Sequence, residues 1–246
     1  MPLNKGDFVL VEYTLKVKES GEVIDTTSKE VAEKAGIYDP KERYGPRLVI
    51  VGEGRLIKGL EEAIEKLDEG QETKIVIPPE KGYGKRDPNN IKVMNKSQFL
   101  RSGVYPEPGK VVEINGKLAI IRSVTGGRVI VDFNHPLAGK TLEAEVKVVR
   151  VLRSVPEKVK HLLLRRLPPI IGDEDINVEY VPEEKHVKVH FNEKALVIQE
   201  MQTVKRIVVN EIGRFMRPDV EKIDFIEHVK FASKKPEEEK QAGEGE

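Results

Sequence analysis

The sequence contains no cysteine. That absence excludes a disulfide framework, a thiolate nucleophile and any cysteine-bound zinc or iron–sulfur centre. Net charge is missing as well, because 42 Lys+Arg residues balance 42 Asp+Glu. Proteins that grip duplex nucleic acid carry surplus basic charge to displace counterions from phosphates, so nucleic acid is a poor partner here. Long apolar runs are also absent. The opening MPLNKGDFVLVEY places Lys5 and Asp7 where a signal peptide or a membrane span needs apolar residues. The expected compartment is the cytoplasm.

What is present suits a soluble folded chain. Its 246 residues allow about two domains, or one small enzyme domain with added modules. A hydrophobic share of 38% supplies a core, and 34% charged residues supply a hydrated surface.

FVLVEYTLKV reads as a β-strand, ESGEV as a hairpin turn at Gly21, VID as the return strand and RLVIV as a further strand ending at Gly52. The excursion between the last two holds a short helix at 29–35 and is otherwise a loop. Leu56, Ile57, Leu60, Ile64 and Leu67 recur at spacings of three and four, which predicts one apolar helical stripe stopped by Gly70. ETKIVI is a strand, broken by Pro78 and Pro79.

From Lys85 to Asp132 the character changes. A short helix is expected at 96–101, then three strands joined at Asn115-Gly116 and Gly126-Gly127, as in a small β-rich domain inserted into a loop of its host. Residues 142–152 make a natural closing strand for the first sheet. Beyond Pro156, a helix up to Pro168, a hairpin around PEEK, a helix over 195–216 and a strand in KIDFIEHVKF predict a separate α+β domain. The tail ASKKPEEEKQAGEGE has no apolar periodicity and is expected to be disordered.

Several tempting motifs carry no chemistry. GEGRLIKG lacks the third glycine of a dinucleotide fingerprint, and GYGKR lacks the P-loop spacing, so both are turns. His186 and His190 fall in a strand, which separates them by about 13 Å and excludes a shared metal. No cofactor is expected.

The ordered set VEYT, VID, LVIVGEG, LIKGLEEAIEKL, IPPEKGYG and NHPLAGKTL resembles the FKBP-type peptidyl-prolyl cis/trans isomerases, in particular their SlyD-like branch with a chaperone domain inserted in the flap. The resemblance covers residues 1–153. It implies an FKBP-like half-wrapped antiparallel β-sheet around a helix, with 1–85 and 133–153 as the catalytic domain and 86–132 as the inserted flap domain. Residues 155–231 form the additional C-terminal α+β domain, and 232–246 the charged tail.

The resemblance also assigns a site. Tyr13 is an aromatic wall, Ile24 a hydrophobic wall and Asp25 the pocket carboxylate. Leu56 and Ile57 lie beside the substrate backbone, and Tyr83 offers its hydroxyl to a substrate carbonyl. His135, Leu137 and Leu142 close the far side. Leu60 stands where many relatives have tryptophan and Ala144 where many have phenylalanine, which implies a roomier, less aromatic pocket. Asp25 and Tyr83 are the catalytic candidates. In the insert, Met94, Phe99, Leu100, Val104 and Tyr105 offer apolar surface to unfolded or extended polypeptides, unless they form the insert's own small core.

The competing function is an FKBP-fold chaperone or scaffold with little isomerase activity, ribosome-associated in one version. Three uses fit the C-terminal domain: an extra chaperone surface, a homodimer contact, or attachment to a folding or translation assembly.

Overall fold

Ten residues free of glycine and proline, Phe8–Val17, form the long strand β1. Its side chains Val9, Val11, Tyr13, Leu15 and Val17 are buried on one face, while Glu12 points to solvent. From Val11 onward that alternation is what a sheet covered on one side requires, whereas Phe8 and Leu10 at the start of the strand are buried on the other face as well. In the computed structural model, residues 3–229 are described. The expected tail 232–246 lies outside them.

The turn at Gly21 leads into β2 (Val23–Thr26), which pairs antiparallel with Thr14, Leu15 and Lys16 of β1. Helix α1 (Lys29–Ala35) starts where the Ser28 side chain accepts from the Val31 N–H, and it ends at Gly36 with φ 71°. β3 (Arg47–Ile50) then pairs with the first residues of β1. Helix α2 (Lys58–Ile64) and strand β4 (Glu72–Ile77) follow.

The inserted segment carries β5 (Ile91–Asn95), α3 (Lys96–Arg101), β6 (Val111–Ile114), β7 (Lys117–Thr125) and β8 (Arg128–Asp132). They form their own sheet in the order β5-β8-β7-β6. Strand β9 (Leu142–Leu152) returns to the first sheet and pairs antiparallel with both β1 and β4. The resulting order is β2-β1-β9-β4, with β3 beside β1. Leu60, Ala63, Ile64 and Leu67 pack against Tyr13, Leu15, Ala144 and Val146 in one hydrophobic core. The insert has a separate core of Phe99, Val112, Ala119, Ile121, Val129 and Val131.

Residues from Arg153 onward form a second unit. It holds α4 (Val155–Leu164), β10 (Ile176–Val181), β11 (His186–Phe191), α5 (Met201–Phe215) and β12 (Lys222–Glu227). β10 and β11 are an antiparallel hairpin, and β12 runs parallel to β11. Among the described residues no helix is long and apolar enough to cross a membrane.

Three expectations need correction. The stripe 56–67 is not one helix stopped by Gly70. Ile57 is extended and caps α2, and past Ile64 the Lys66 and Leu67 N–H groups bond three residues back, to Ala63 and Ile64. The Gly70 N–H instead bonds Val148 of β9 at 2.7 Å, so this glycine begins the sheet connection. The helix over 195–216 begins only at Met201, because the Asn192 side chain caps a separate 3-10 turn at Glu193–Val197 and Ile198 is extended. The insert has a fourth strand, β5, which follows the turn Pro88–Asn90.

Gly59 is where α2 meets the sheet. A Cβ at this position would lie 2.5 Å from Ile77 Cγ2 and 2.8 Å from its Cγ1. Helix propensity alone would make alanine about 1 kcal/mol better than glycine here. Overpacking should outweigh it, so Gly59→Ala is expected to lower stability by about 1–3 kcal/mol. Urea unfolding followed by circular dichroism measures this, and a more stable variant would mean that α2 lifts off β4 freely.

Candidate active site

The pairing of β1 with β2 brings Asp25 opposite Leu15, within reach of Tyr13 two residues earlier. The Tyr13 hydroxyl donates to Asp25 Oδ2 at 2.6 Å, and Arg47 Nη1 donates to the same hydroxyl oxygen at 2.6 Å. Arg47 also lies 3.6 Å from the Asp25 carboxylate. Burial pushes the Tyr13 phenol well above the usual tyrosine range; Arg47 opposes that rise and Asp25 adds to it. Tyr13 therefore stays a neutral donor, and its one proton is committed to Asp25. The carboxylate is held in place yet remains about two-fifths exposed.

Tyr83 comes from the turn after β4. Pro78 and Pro79 end the strand, a 3-10 turn follows, and the Gly84 N–H closes back onto Pro79 O at 2.7 Å. The Gly139 N–H bonds Gly84 O at 2.8 Å, which joins this turn to the segment before β9. Across that junction the Tyr83 ring stacks on His135, with centroids 4.5 Å apart and planes within 2°. The Leu137 N–H donates to His135 Nδ1 at 3.2 Å and orients the imidazole. Partial burial raises the Tyr83 pKa first, and the Asp25 charge raises it further, so the two groups share one electrostatic environment.

Ile24, Leu56, Ile57, Tyr83 and Leu137 are all half-buried and packed on the same core. Packed on the core and still partly exposed, they are the candidate apolar rim of the site, with the Asp25 carboxylate and the Tyr13 and Tyr83 hydroxyls as its candidate polar groups. Leu60, Leu142 and Ala144, expected to line the pocket, are instead fully buried in the core, so they bear on the site through packing and not through contact with a substrate. His135 is exposed at the outer end.

The five apolar residues singled out in the insert divide. Phe99 is buried in the insert's core, and Met94 and Val104 pack against it. Leu100 and Tyr105 are exposed, Tyr105 to 71%. The residues that sequence reasoning missed lie on the opposite face of that sheet: Val93, Val111, Leu118 and Ile130 are all exposed, Val93 to 65% and Leu118 to 69%. Val93 pairs directly with Ile130, and Val111 with Ile120, so this is a face and not a scatter of side chains. The available signal was that β5, β7 and β8 carry apolar residues at both parities, where a half-buried strand should alternate. Arg47 was missed too, because nothing in linear spacing ties positions 13, 25 and 47 together.

In the second unit His186 and His190 stand on β11. His186 Nε2 meets Asp224 Oδ2 at 2.9 Å, and His190 Nδ1 meets His228 Nε2 at 2.8 Å. Among the described residues no group of three or more His, Asp or Glu side chains could hold a metal ion.

Residues 2–100 match the family of FKBP-type peptidyl-prolyl cis-trans isomerases, residues 92–137 the FKBP26 IF domain, and residues 155–230 the FKBP26 C-terminal family. The chain is similar to the short-type peptidyl-prolyl cis-trans isomerase of Methanocaldococcus jannaschii, 44% identical over 146 residues that cover 59% of this chain and 92% of that protein. It is also similar to the FKBP-type isomerase SlyD of Treponema pallidum, 31% identical over 162 residues, 64% of this chain and 82% of the relative. The FKBP-type 16 kDa isomerase of Escherichia coli is 30% identical over 151 residues, 58% of this chain and 89% of the relative.

The raised phenols are measurable. In an alkaline absorbance titration, Tyr13→Phe should remove nothing from the phenolate step near the ordinary tyrosine pKa of about 10. Loss of one tyrosine's absorbance from that step would show that the Tyr13 hydroxyl is solvated and not locked between Asp25 and Arg47.

Proposed function

The chain belongs to the FKBP-type peptidyl-prolyl cis/trans isomerases, and from that premise we propose that Asp25 and Tyr83, set in an aliphatic cleft, carry the isomerisation of X-Pro bonds while the insert holds the client. The substrates are polypeptides. The observation that carries this reading is the Tyr13 hydroxyl fixed between Asp25 and Arg47 at the edge of an apolar rim.

The chemistry needs no covalent intermediate. The peptide C–N bond owes its barrier of about 18–20 kcal/mol to partial double-bond character. The planar amide is more dipolar than the twisted one, so an apolar cleft that strips water from it costs the ground state more than the transition state. Ile24, Leu56, Ile57 and Leu137 supply that dry wall for the proline ring. The Tyr83 hydroxyl holds the carbonyl on one side of the rotating bond. Asp25, oriented by Tyr13 and Arg47, faces the carbon end of the carbonyl dipole as it turns. Each 1.4 kcal/mol of differential stabilisation is worth about tenfold in rate.

Client holding by the insert is supported by the exposed sheet face of Val93, Val111, Leu118 and Ile130, with Leu100 and Tyr105 on the same domain. Such a face, on a small domain with its own core, offers an unfolded chain a place to bury apolar side chains. Phe99, Met94 and Val104 contribute by supporting the sheet from behind.

Two experiments test these roles. In a protease-coupled assay on a proline tetrapeptide, Asp25→Ala and Tyr83→Phe should each lower kcat/KM by about tenfold, the loss of one oriented polar contact in the transition state. Circular dichroism should show both variants folded; undiminished kcat/KM in both would remove the assignment. In the second, the double variant Val93→Asp and Leu118→Asp should keep tetrapeptide activity and weaken binding of a permanently unfolded protein by about tenfold. Equal affinity would place client binding elsewhere.

A further inference from the structure

The insert hangs from the catalytic sheet by two strands of chain, residues 85–87 going out and 132–134 returning. Asp132 opens the returning one, with none of its side chain exposed. Its Oδ2 accepts from Arg86 Nη2 at 2.6 Å, from Arg122 Nε at 3.0 Å, and lies 2.9 Å from Arg122 Nη2. Its Oδ1 accepts from the Asn134 backbone N–H at 3.0 Å and from Asn134 Nδ2 at 2.7 Å. Asn134 in turn ties the returning strand to the outgoing one: Asp87 N–H donates to its Oδ1 and its Nδ2 donates to Asp87 O, both at 2.9 Å.

Each partner belongs to a different part. Arg122 is on β7 of the insert. Arg86 lies in the neck, three residues after Tyr83, and its Cβ lies 3.3 Å from where a Cβ on Gly139 would stand, so it is anchored on the catalytic side. Asn134 immediately precedes His135, the stacking partner of Tyr83. One carboxylate thus joins the insert's sheet, both neck strands and the segment that bears the stacked pair. A core would need only Arg122 to neutralise Asp132. The second arginine is explained by geometry: two guanidinium forks converging on one oxygen leave the insert little freedom to swing.

We propose that Asp132 is a positioning residue that, through Arg86, fixes the tilt of the insert over the prolyl cleft, so that a client held on the insert's outer face is delivered with its proline at the site. This rests on the outer-face reading given above. Arg86 and Asp132 touch no part of the cleft, so a short peptide that binds the cleft directly does not need them. A long client, held at one place and isomerised at another, does. The insert then behaves as one stiff arm, and the effective concentration of the client's proline at the cleft depends on the arm's angle.

The latch is not a pH device. Burial by itself would raise the Asp132 pKa, but the hydrogen bonds from Asn134 and Arg122 and the charge of Arg86 outweigh it and hold the carboxyl at about 2. The stability it contributes is complete above the ordinary carboxyl range and is lost only as pH falls towards that value.

The decisive variant is Arg86→Gln in the full chain. It cuts the link to the neck while Arg122 still neutralises Asp132, so the insert keeps its internal ion pair. Three quantities are compared with the parent: kcat/KM on a proline tetrapeptide, affinity for a reduced, carboxymethylated protein held unfolded, and kcat and KM for that protein's proline-limited refolding in high salt. The first two should stay within about twofold. Refolding should lose about tenfold in kcat with KM unchanged, and Arg86→Lys should recover part of the loss. Because the chain has no cysteine, spin labels at Lys66→Cys and Lys117→Cys report the arm directly, and Arg86→Gln should broaden their distance distribution. Unchanged refolding kcat, or an unchanged distribution, overturns the proposal. So does a fall in client affinity: Asp132 lies on the same sheet face as Ile130, but Arg86→Gln leaves Val93, Val111, Leu118 and Ile130 in place. The outer-face reading fails separately, if Val93→Asp with Leu118→Asp leaves client affinity intact.

Discussion

Strand β9 must lie between β1 and β4, and that single requirement organises the catalytic part of the molecule. β4 ends at Ile77, paired with Leu142, the residue where β9 begins. Everything between those two positions has to leave the sheet and return to the same edge. The two ends of the excursion are therefore held side by side by backbone hydrogen bonds, whatever lies between them. The turn bearing Tyr83 and the segment bearing His135 meet for this reason.

The same sheet solves the electrostatic problem of the site. A carboxylate beside an apolar cleft is costly unless it is hydrogen-bonded. Tyr13 and Arg47 satisfy that need from β1 and β3, which pair side by side in the sheet. Leu60 and Ala144 are covered in the aliphatic core beneath the sheet face that bears Tyr13. The polar groups of the proposed site are thus held in place by hydrogen bonds from within the sheet.

Local patterns were legible where they are self-contained. The alternation in FVLVEYTLKV, the dipeptides Asn115-Gly116 and Gly126-Gly127, and the prolines after β4 each specify an element through backbone geometry alone, and the corresponding strands and turns were readable. The helical stripe from Leu56 to Leu67 misled because burial and helicity are different properties. Leu56 and Leu67 are covered by the core although neither is within α2. The start of α5 was obscured by the Asn192 cap, a side-chain decision that hydrophobic periodicity does not record. Of the site, motif order supplied Tyr13, Asp25 and Tyr83, whereas Arg47 depends on strand register. The insert's outer face became visible only once its sheet showed which parity was already used for the core.

Joining the insert's two ends through adjacent strands has one more consequence. The entropy lost in closing a loop grows only slowly with its length, and here the closure is already made by the β4–β9 ladder. A module of a different size, provided its own ends emerge close together, would fit on the same stem without disturbing the ladder below. The stem would then carry one insert or another as a cassette while the ladder beneath it stays as it is.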